Sequence, residues 1–166
     1  MRLEINNFLL SVASALMAAA NDAAGSAAIT LGRDLFIIQA NERSAADPHA
    51  VFRSYASSAS DPMRPFPLMN IQLHAIGRPH QQKPLELASR LYEALFDAKG
   101  LPRTLWTIDG KKFNDVGDVV NDTSMNYHVI MLTPGSQPTV IRQDDQRCEV
   151  TFNFTAKYQV KNSNPA

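Results

Sequence analysis

Cysteine is almost missing from this chain. One cysteine among 166 residues, Cys148, excludes an internal disulfide and a cysteine-built zinc site. Net charge is missing too: sixteen lysines and arginines balance sixteen aspartates and glutamates. Tight, sequence-independent grip on nucleic acid needs a cationic surplus, so only a local basic patch is left open. No apolar run approaches the roughly 20 residues that span a bilayer. The chain has no glycine-rich phosphate loop, and Ser57-Ser58-Ala59-Ser60 lacks a Gly-x-Ser-x-Gly frame. His49, His74, His80 and His128 include no pair at the close helical spacing of a metal site.

What the chain does have is one long alternating stretch, Cys148 to Val160. Cys148, Val150, Phe152, Phe154, Ala156, Tyr158 and Val160 are apolar; Glu149, Thr151, Asn153, Thr155, Lys157 and Gln159 are polar. Period-two alternation predicts a half-buried strand with one wet face. At about 3.3 Å per residue it reaches about 43 Å, against a radius of gyration of about 15 Å for a chain of this size. It must cross the whole domain or overhang it. A one-residue slip would put Phe152 and Phe154 in water, so its register is tightly set.

The rest reads as the sheet this strand joins and the helices that cover it. Met1-Arg2 followed by the apolar run Phe8 to Ala20 has the outline of a signal peptide. The spacing of Ile5, Phe8, Leu9, Val12 and Leu16 favours instead an amphipathic helix over Leu3 to Ala20. Ile29 to Gln39, centred on Leu35-Phe36-Ile37-Ile38, reads as a strand. Ala40 to Pro67 holds Pro48, Pro62, Pro65 and Pro67, and reads as an arm-like loop with a short strand at Val51 to Tyr55. Leu68 to Ile76 alternates as a strand ended by Gly77. Pro84 to Ala98 is a helix with Leu87, Leu91, Ala94 and Leu95 as its buried stripe and Arg90 and Glu93 on its wet side. Asp109-Gly110 signals a hairpin between Thr104–Ile108 and Lys111–Phe113. Asn114 to Asn126 reads as loop, Tyr127 to Leu132 as strand, Pro134-Gly135 as turn, and Thr139 to Arg142 as a further strand.

The sum is α+β: a largely antiparallel sheet with two helices packed on one face and long inter-strand loops. Residues 1–160 form one domain, with the 40–67 arm inside it and 161–166 as a flexible tail. Asp144, Asp145 and Glu149 could gather a divalent ion, but aspartates between strands are ordinary turn chemistry. Cys148, on the apolar face of the long strand, reads as a packed thiol rather than a nucleophile. His74 and His128 fall within strands and read as structural. No residue is nominated as catalytic, cofactor-binding or metal-binding, and no cofactor is expected. A binding or structural role is favoured over a small soluble enzyme whose groups meet only in space.

Three stretches carry a resemblance. Asn70-Ile71-Gln72-Leu73-His74-Ala75-Ile76-Gly77 leads through a polar loop into Leu85 to Leu95, with Tyr92-Glu93-Ala94-Leu95 at its end. Gln143-Asp144-Asp145-Gln146-Arg147 then leads into Glu149-Val150-Thr151-Phe152-Asn153-Phe154. This layout resembles the tail terminator (tail completion, head–tail joining) proteins of long-tailed bacteriophages. The 40–67 segment departs from it. The resemblance implies a lambda-like tail terminator fold and a virion structural protein, assembled in the bacterial host cytoplasm, with no catalysis. Identical subunits would close a six-fold ring that caps the tail tube and meets the connector or stopper of the head's neck. Genomic DNA would pass through without being read, and no membrane is involved. Another neck or tail-tube component, or an adaptor of similar fold, is the alternative.

Overall fold

The computed structural model describes residues 2–22, 28–57, 68–79, 82–103 and 107–161. In chain order these form α1 (Arg2–Asp22), β1 (Leu35–Ile37), β2 (His49–Ser57), β3 (Leu68–Gly77), α2 (Lys83–Leu95), β4 (Thr107–Phe113), β5 (Val119–Gln143) and β6 (Cys148–Lys161). The six strands make one sheet in the order β1-β2-β3-β6-β5-β4. The fold is α+β, as its sequence implies, but the sheet is mixed. β1 runs parallel to β2, while the other four pairings are antiparallel.

β6 sits inside the sheet, between β3 and β5, and its alternation is kept: Cys148, Val150, Phe152, Phe154, Ala156 and Tyr158 are all buried. Only Val160, at the far end, escapes, at 38% exposed. The matching positions of β3, Met69, Ile71, Leu73 and Ala75, bury on the same face. Both helices pack there and share one core with the sheet. Phe52, Tyr92, Phe96, Phe152 and Phe154 form an aromatic cluster at its centre, in edge-on and tilted contacts. Phe8, Tyr127 and Tyr158 form a second one, with Phe8 stacked on Tyr158. Edge-on and offset rings add to the burial energy by about 0.5–1.5 kcal/mol per pair.

α1 departs from the expected single apolar stripe; the side chain of Ile5 lies outside the described residues. Phe8, Leu9, Leu10, Ser11, Val12 and Ala13 are all buried, so every side of the helix is covered along this turn and a half. A helix buried all round belongs in an interior, and small Ser11 and Ala13 let its neighbours come close. Its end is tied down by Asn21, whose amide imitates a strand residue. Asn21 Nδ2 donates to Ile29 O at 3.0 Å and Oδ1 accepts from Ile29 N at 2.7 Å. Arg90 is therefore not on a wet side: its guanidinium donates to Ala20 O and Asn21 Oδ1, at the negative end of the α1 dipole. α2 buries Pro84, Ala88, Leu91, Tyr92 and Leu95, which puts Leu87 at the core's margin rather than in the stripe. It stops at Leu95, short of Ala98, because Phe96 turns extended and bridges to Pro102.

Three further expectations are corrected. The strand expected over Ile29 to Gln39 shrinks to Leu35–Ile37, since a tight turn occupies Leu31 to Asp34. Much of the 40–67 arm is sheet: β2 pairs with β3 from His49↔Ile76 to Ser57↔Met69, and residues 58–67 lie outside the description. Asp109-Gly110 is no turn. β4 runs straight through it, and Thr104 to Trp106 lie outside the described residues. The glycine is there because β5 presses against it; a Cβ on Gly110 would stand 1.8 Å from Met125 O.

The real turn of that hairpin is Asn114 to Asp118, inside the stretch read as loop. From Val119 the chain runs as one 25-residue strand, and the expected turn at Pro134-Gly135 is a bulge within it. Irregularities interrupt its pairing with β6 at four places between Val129 and Arg142. Each adds twist and bends the strand, which explains how so long a ribbon stays on the domain. β4 and β5 also slip register between Asp109 and Lys111. There the hairpin packs against α1, and Lys111 N donates to Ser11 Oγ at 2.9 Å.

Candidate functional site

The polar face of the sheet carries the groups that sequence reading singled out. Glu149 of β6 lies 3.2 Å from His74 Nε2 and 3.9 Å from Arg142 and Arg147, with its side chain only 12% exposed. Burial lowers the His74 pKa, a shift that Glu149 opposes and that Arg53 and Arg147 reinforce. The ring is therefore neutral near pH 7 and faces a carboxylate that two arginines already flank. Asp144 does turn work. Its Oδ1 accepts from Gln146 N and Arg147 N at 2.8 and 3.0 Å, and Arg142 Nε donates to Oδ2 at 2.6 Å. Those backbone bonds, with Arg142, pull its pKa down to about 2. Asp144 and Glu149 thus reach toward arginines, not toward a shared ion. Among the described residues no three His, Cys, Asp or Glu side chains gather as a metal site.

The other titratable groups lie apart. His49 Nδ1 lies 2.9 Å from Ala46 O and its ring sits edge-on to Phe36. His128 is on β5, and His80 lies outside the described residues. Cys148 is 4% exposed on the core face, a packed thiol. No helix among the described residues is long and apolar enough to cross a membrane.

Apolar surface left in water is more informative. One patch is the β4–β5 hairpin tip, where Phe113, Val116 and Val119 are 48%, 80% and 37% exposed. The apex is rigidly built: Asn114 Oδ1 accepts from Val116 N and Asp118 N, Gly117 N donates to Asn114 O, and Gly117 takes φ +86°. A left-handed residue here suits only glycine at low cost. Beside the tip, a groove of about 690 Å³ runs between α1 at Ser14 and Met17, the β1 region and Phe113 to Val119. Asp118 is the one charged residue among those lining it.

A second patch lies elsewhere on the sheet. Beyond His128 no strand among the described residues pairs with the outer edge of β5. Val140 and Ile141, at 42% and 57% exposed, sit near the end of this open edge. Sequence reading expected a subunit contact near a sheet edge or the Asn114 to Asn126 loop, without naming these side chains. The hairpin tip was read as loop, and Thr139 to Arg142 as an isolated short strand. The available signal was apolar Phe113, Val116 and Val119 around an Asn-x-x-Gly turn, which a soluble surface rarely carries without a partner. No protein-family model matches the chain, and a search of curated proteins returns no match.

Proposed function

We propose that this chain is a tail terminator of a long-tailed bacteriophage, with a lambda-like tail terminator fold. Six copies form a ring that caps the tail tube and joins it to the connector or stopper of the head's neck. The ring is a virion component without catalysis, and genomic DNA passes through it unread.

The observation that carries this reading is the pair of unlike apolar surfaces. The hairpin tip at Phe113, Val116 and Val119 and the open β5 edge at Val140 and Ile141 belong to different parts of the chain. A ring of identical subunits needs a heterologous contact, one patch of each copy meeting a different patch of the next. Open edges invite strand pairing, and an edge with exposed apolar residues is otherwise an aggregation hazard. The element order, from the first helix to the Asn153-Phe154 strand, is the layout on which the resemblance rests. The balanced charge of sixteen against sixteen suits a passage that must not hold DNA.

The test is a phage particle assembled without this protein. Tails of irregular length, or tails that do not join heads, are expected, and added purified protein should restore joining. Heads and tails that join at normal length in its absence would end this assignment. A defect in head filling or tube formation with normal tail length would point to another neck or tube component.

A further inference from the structure

Leu101, in the loop that follows α2, stands 57% exposed on a backbone that cannot turn it inward. Asp97 N donates to Leu101 O at 2.8 Å, and Gly100 N to Asp97 O at 3.0 Å. Asp97 Oδ1 accepts from Lys99 N and Leu101 N, both at 2.9 Å, and Arg103 N donates to Leu95 O at 2.8 Å. Gly100 takes the φ of +77° that this tight path needs. The Asp97 carboxylate is turned onto the loop's own amides, so the outward charges are those of exposed Lys99 and Arg103. An apolar knob already ordered in this way loses little freedom on binding. The groove beside the hairpin tip has the complementary chemistry. It holds about 690 Å³, with Met17, Leu35, Phe36, Phe113 and Val119 among its lining residues and Asp118 as its one charge.

We propose that Leu101 of one subunit seats in this groove on the next, with Lys99 facing Asp118. The same copy does not supply the knob, because no residue of the 96–103 loop lines the groove. The loop is held beside Pro134 instead: a Cβ on Gly100 would stand 3.9 Å from Pro134 Cγ. Between Pro134 and Val119 the ribbon covers seven residues of β6, Phe154 to Lys161, and four of β4, Asp109 to Phe113, about 36 Å in all. Adjacency selects the neighbour. In each copy the groove adjoins the hairpin tip, while the knob adjoins the open β5 edge. Pro134 and Val140 are four residues of β6 apart, Phe154 to Val150, or about 13 Å. Bringing the tip of one copy to the β5 edge of the next therefore sets groove and knob opposite each other. This contact rests on the ring reading for its neighbour, and it identifies the apolar anchor and the charge pair that link one copy to the next.

Cross-linking of the full-length protein tests it, since the native Cys148 is 4% exposed and leaves added surface cysteines to react alone. Ser44→Cys marks the groove and Ala98→Cys the knob's loop; both positions are exposed, so both variants should fold. The two proteins, mixed at about 1 mM, are treated with a short bis-maleimide. A joined pair is expected from the mixture, in clear excess over either protein alone. Adding Asp118→Lys to the Ser44→Cys protein should cut the yield about tenfold, and adding Lys99→Asp to its partner should restore it. Leu101→Asp in the Ala98→Cys protein should cut the yield as far. No excess over the separate proteins, or a yield indifferent to all three changes, would overturn the inference. The two readings fail separately. Joining in the mixture, with normal particles made without the protein, removes the ring but keeps the contact. Particles that need the protein, with no joining, keep the ring and remove this contact.

Discussion

Ser11 Oγ on α1 accepts a 2.9 Å hydrogen bond from the backbone N–H of Lys111, one hundred residues further along the chain. The same hydroxyl donates to Asn7 O at 2.6 Å, so both its functions are used inside the protein. The bond sits just past the register slip that bends the β4–β5 hairpin, and it fixes the hairpin to the helix. Ser11→Ala leaves the Lys111 N–H without this acceptor at a buried helix. The expected loss is about 1–3 kcal/mol in chemical denaturation, with faster amide exchange at Lys111 to Asn121 than elsewhere. A variant with unchanged stability and unchanged exchange would show that the hairpin is held by packing alone.

Phe152 and Phe154 point to the same face of β6, both at 0% exposure, inside the aromatic cluster with Phe52, Tyr92 and Phe96. Truncating either to alanine should cost about 3–5 kcal/mol, the loss of a large buried ring and the cavity it leaves. Urea midpoints report the effect. A cost under about 0.5 kcal/mol for both would mean that the sheet's inner face is misassigned.

β6 and β3 were legible because each keeps strict alternation: the buried positions follow period two from Cys148 to Tyr158 in β6 and from Met69 to Ala75 in β3. β5, paired to the same β6, was not. Its four irregularities each shift the inward-facing position by a residue, so Val129 and Leu132 are buried at a spacing of three. Pro134 and Gly135 then read as a turn, because a bulge and a turn draw on the same residues. Asp109-Gly110 failed for a related reason. The pair is favoured in hairpin turns, but here the glycine answers to a long-range neighbour, Met125, that no local pattern reveals. Which apolar side chains stay in water was illegible too, since an apolar residue in sequence does not say which side of a bend it will occupy.

That neighbour gives a sharp prediction. Gly110→Ala puts a methyl group within 1.8 Å of Met125 O, a backbone atom that cannot swing aside. The expected result is a destabilisation of about 2 kcal/mol or more, with the hairpin's pairing lost before the rest of the sheet. Gly117→Ala is a useful contrast, because nothing lies within 4 Å of its Cβ and only its positive φ resists. It should cost about 1 kcal/mol. Thermal melts of the two variants in parallel decide the matter, and equal melting points would remove the close contact from the account.

His74 sets a pH dependence whose sign is fixed by its environment. Burial lowers its folded pKa below the ordinary 6.5 despite Glu149 alongside. Between the two values the unfolded chain binds a proton that the folded protein does not, so stability falls as pH drops below 6.5 toward the folded pKa. The native ring should titrate by NMR with a midpoint below 6.5, and His74→Gln should flatten the stability profile between pH 7 and 5. A midpoint above 6.5 would mean that Glu149 outweighs burial. Asp144 acts lower on the scale: held down to about 2, its contribution is intact above its ordinary pKa and disappears only as pH falls through about 2.

Ile141 separates folding from assembly. It is the extra residue between Val140 and Arg142 in the pairing with β6, and it is 57% exposed on the open side of β5. Ile141→Asp removes little buried surface, so stability should stay within about 0.5 kcal/mol of the parent. If the edge of β5 is one half of the ring contact, the same change puts a charge into an interface core, where charged residues are disfavoured. The variant should then fold normally, fail to form rings on tail ends under the electron microscope, and fail to restore head–tail joining to particles lacking the protein. Thr139→Asp, on the same strand but on its polar face, serves as the control and should restore joining. Full restoration by Ile141→Asp would show that this edge is free in the virion. The ring contact would then have to be sought at the hairpin tip and its groove alone.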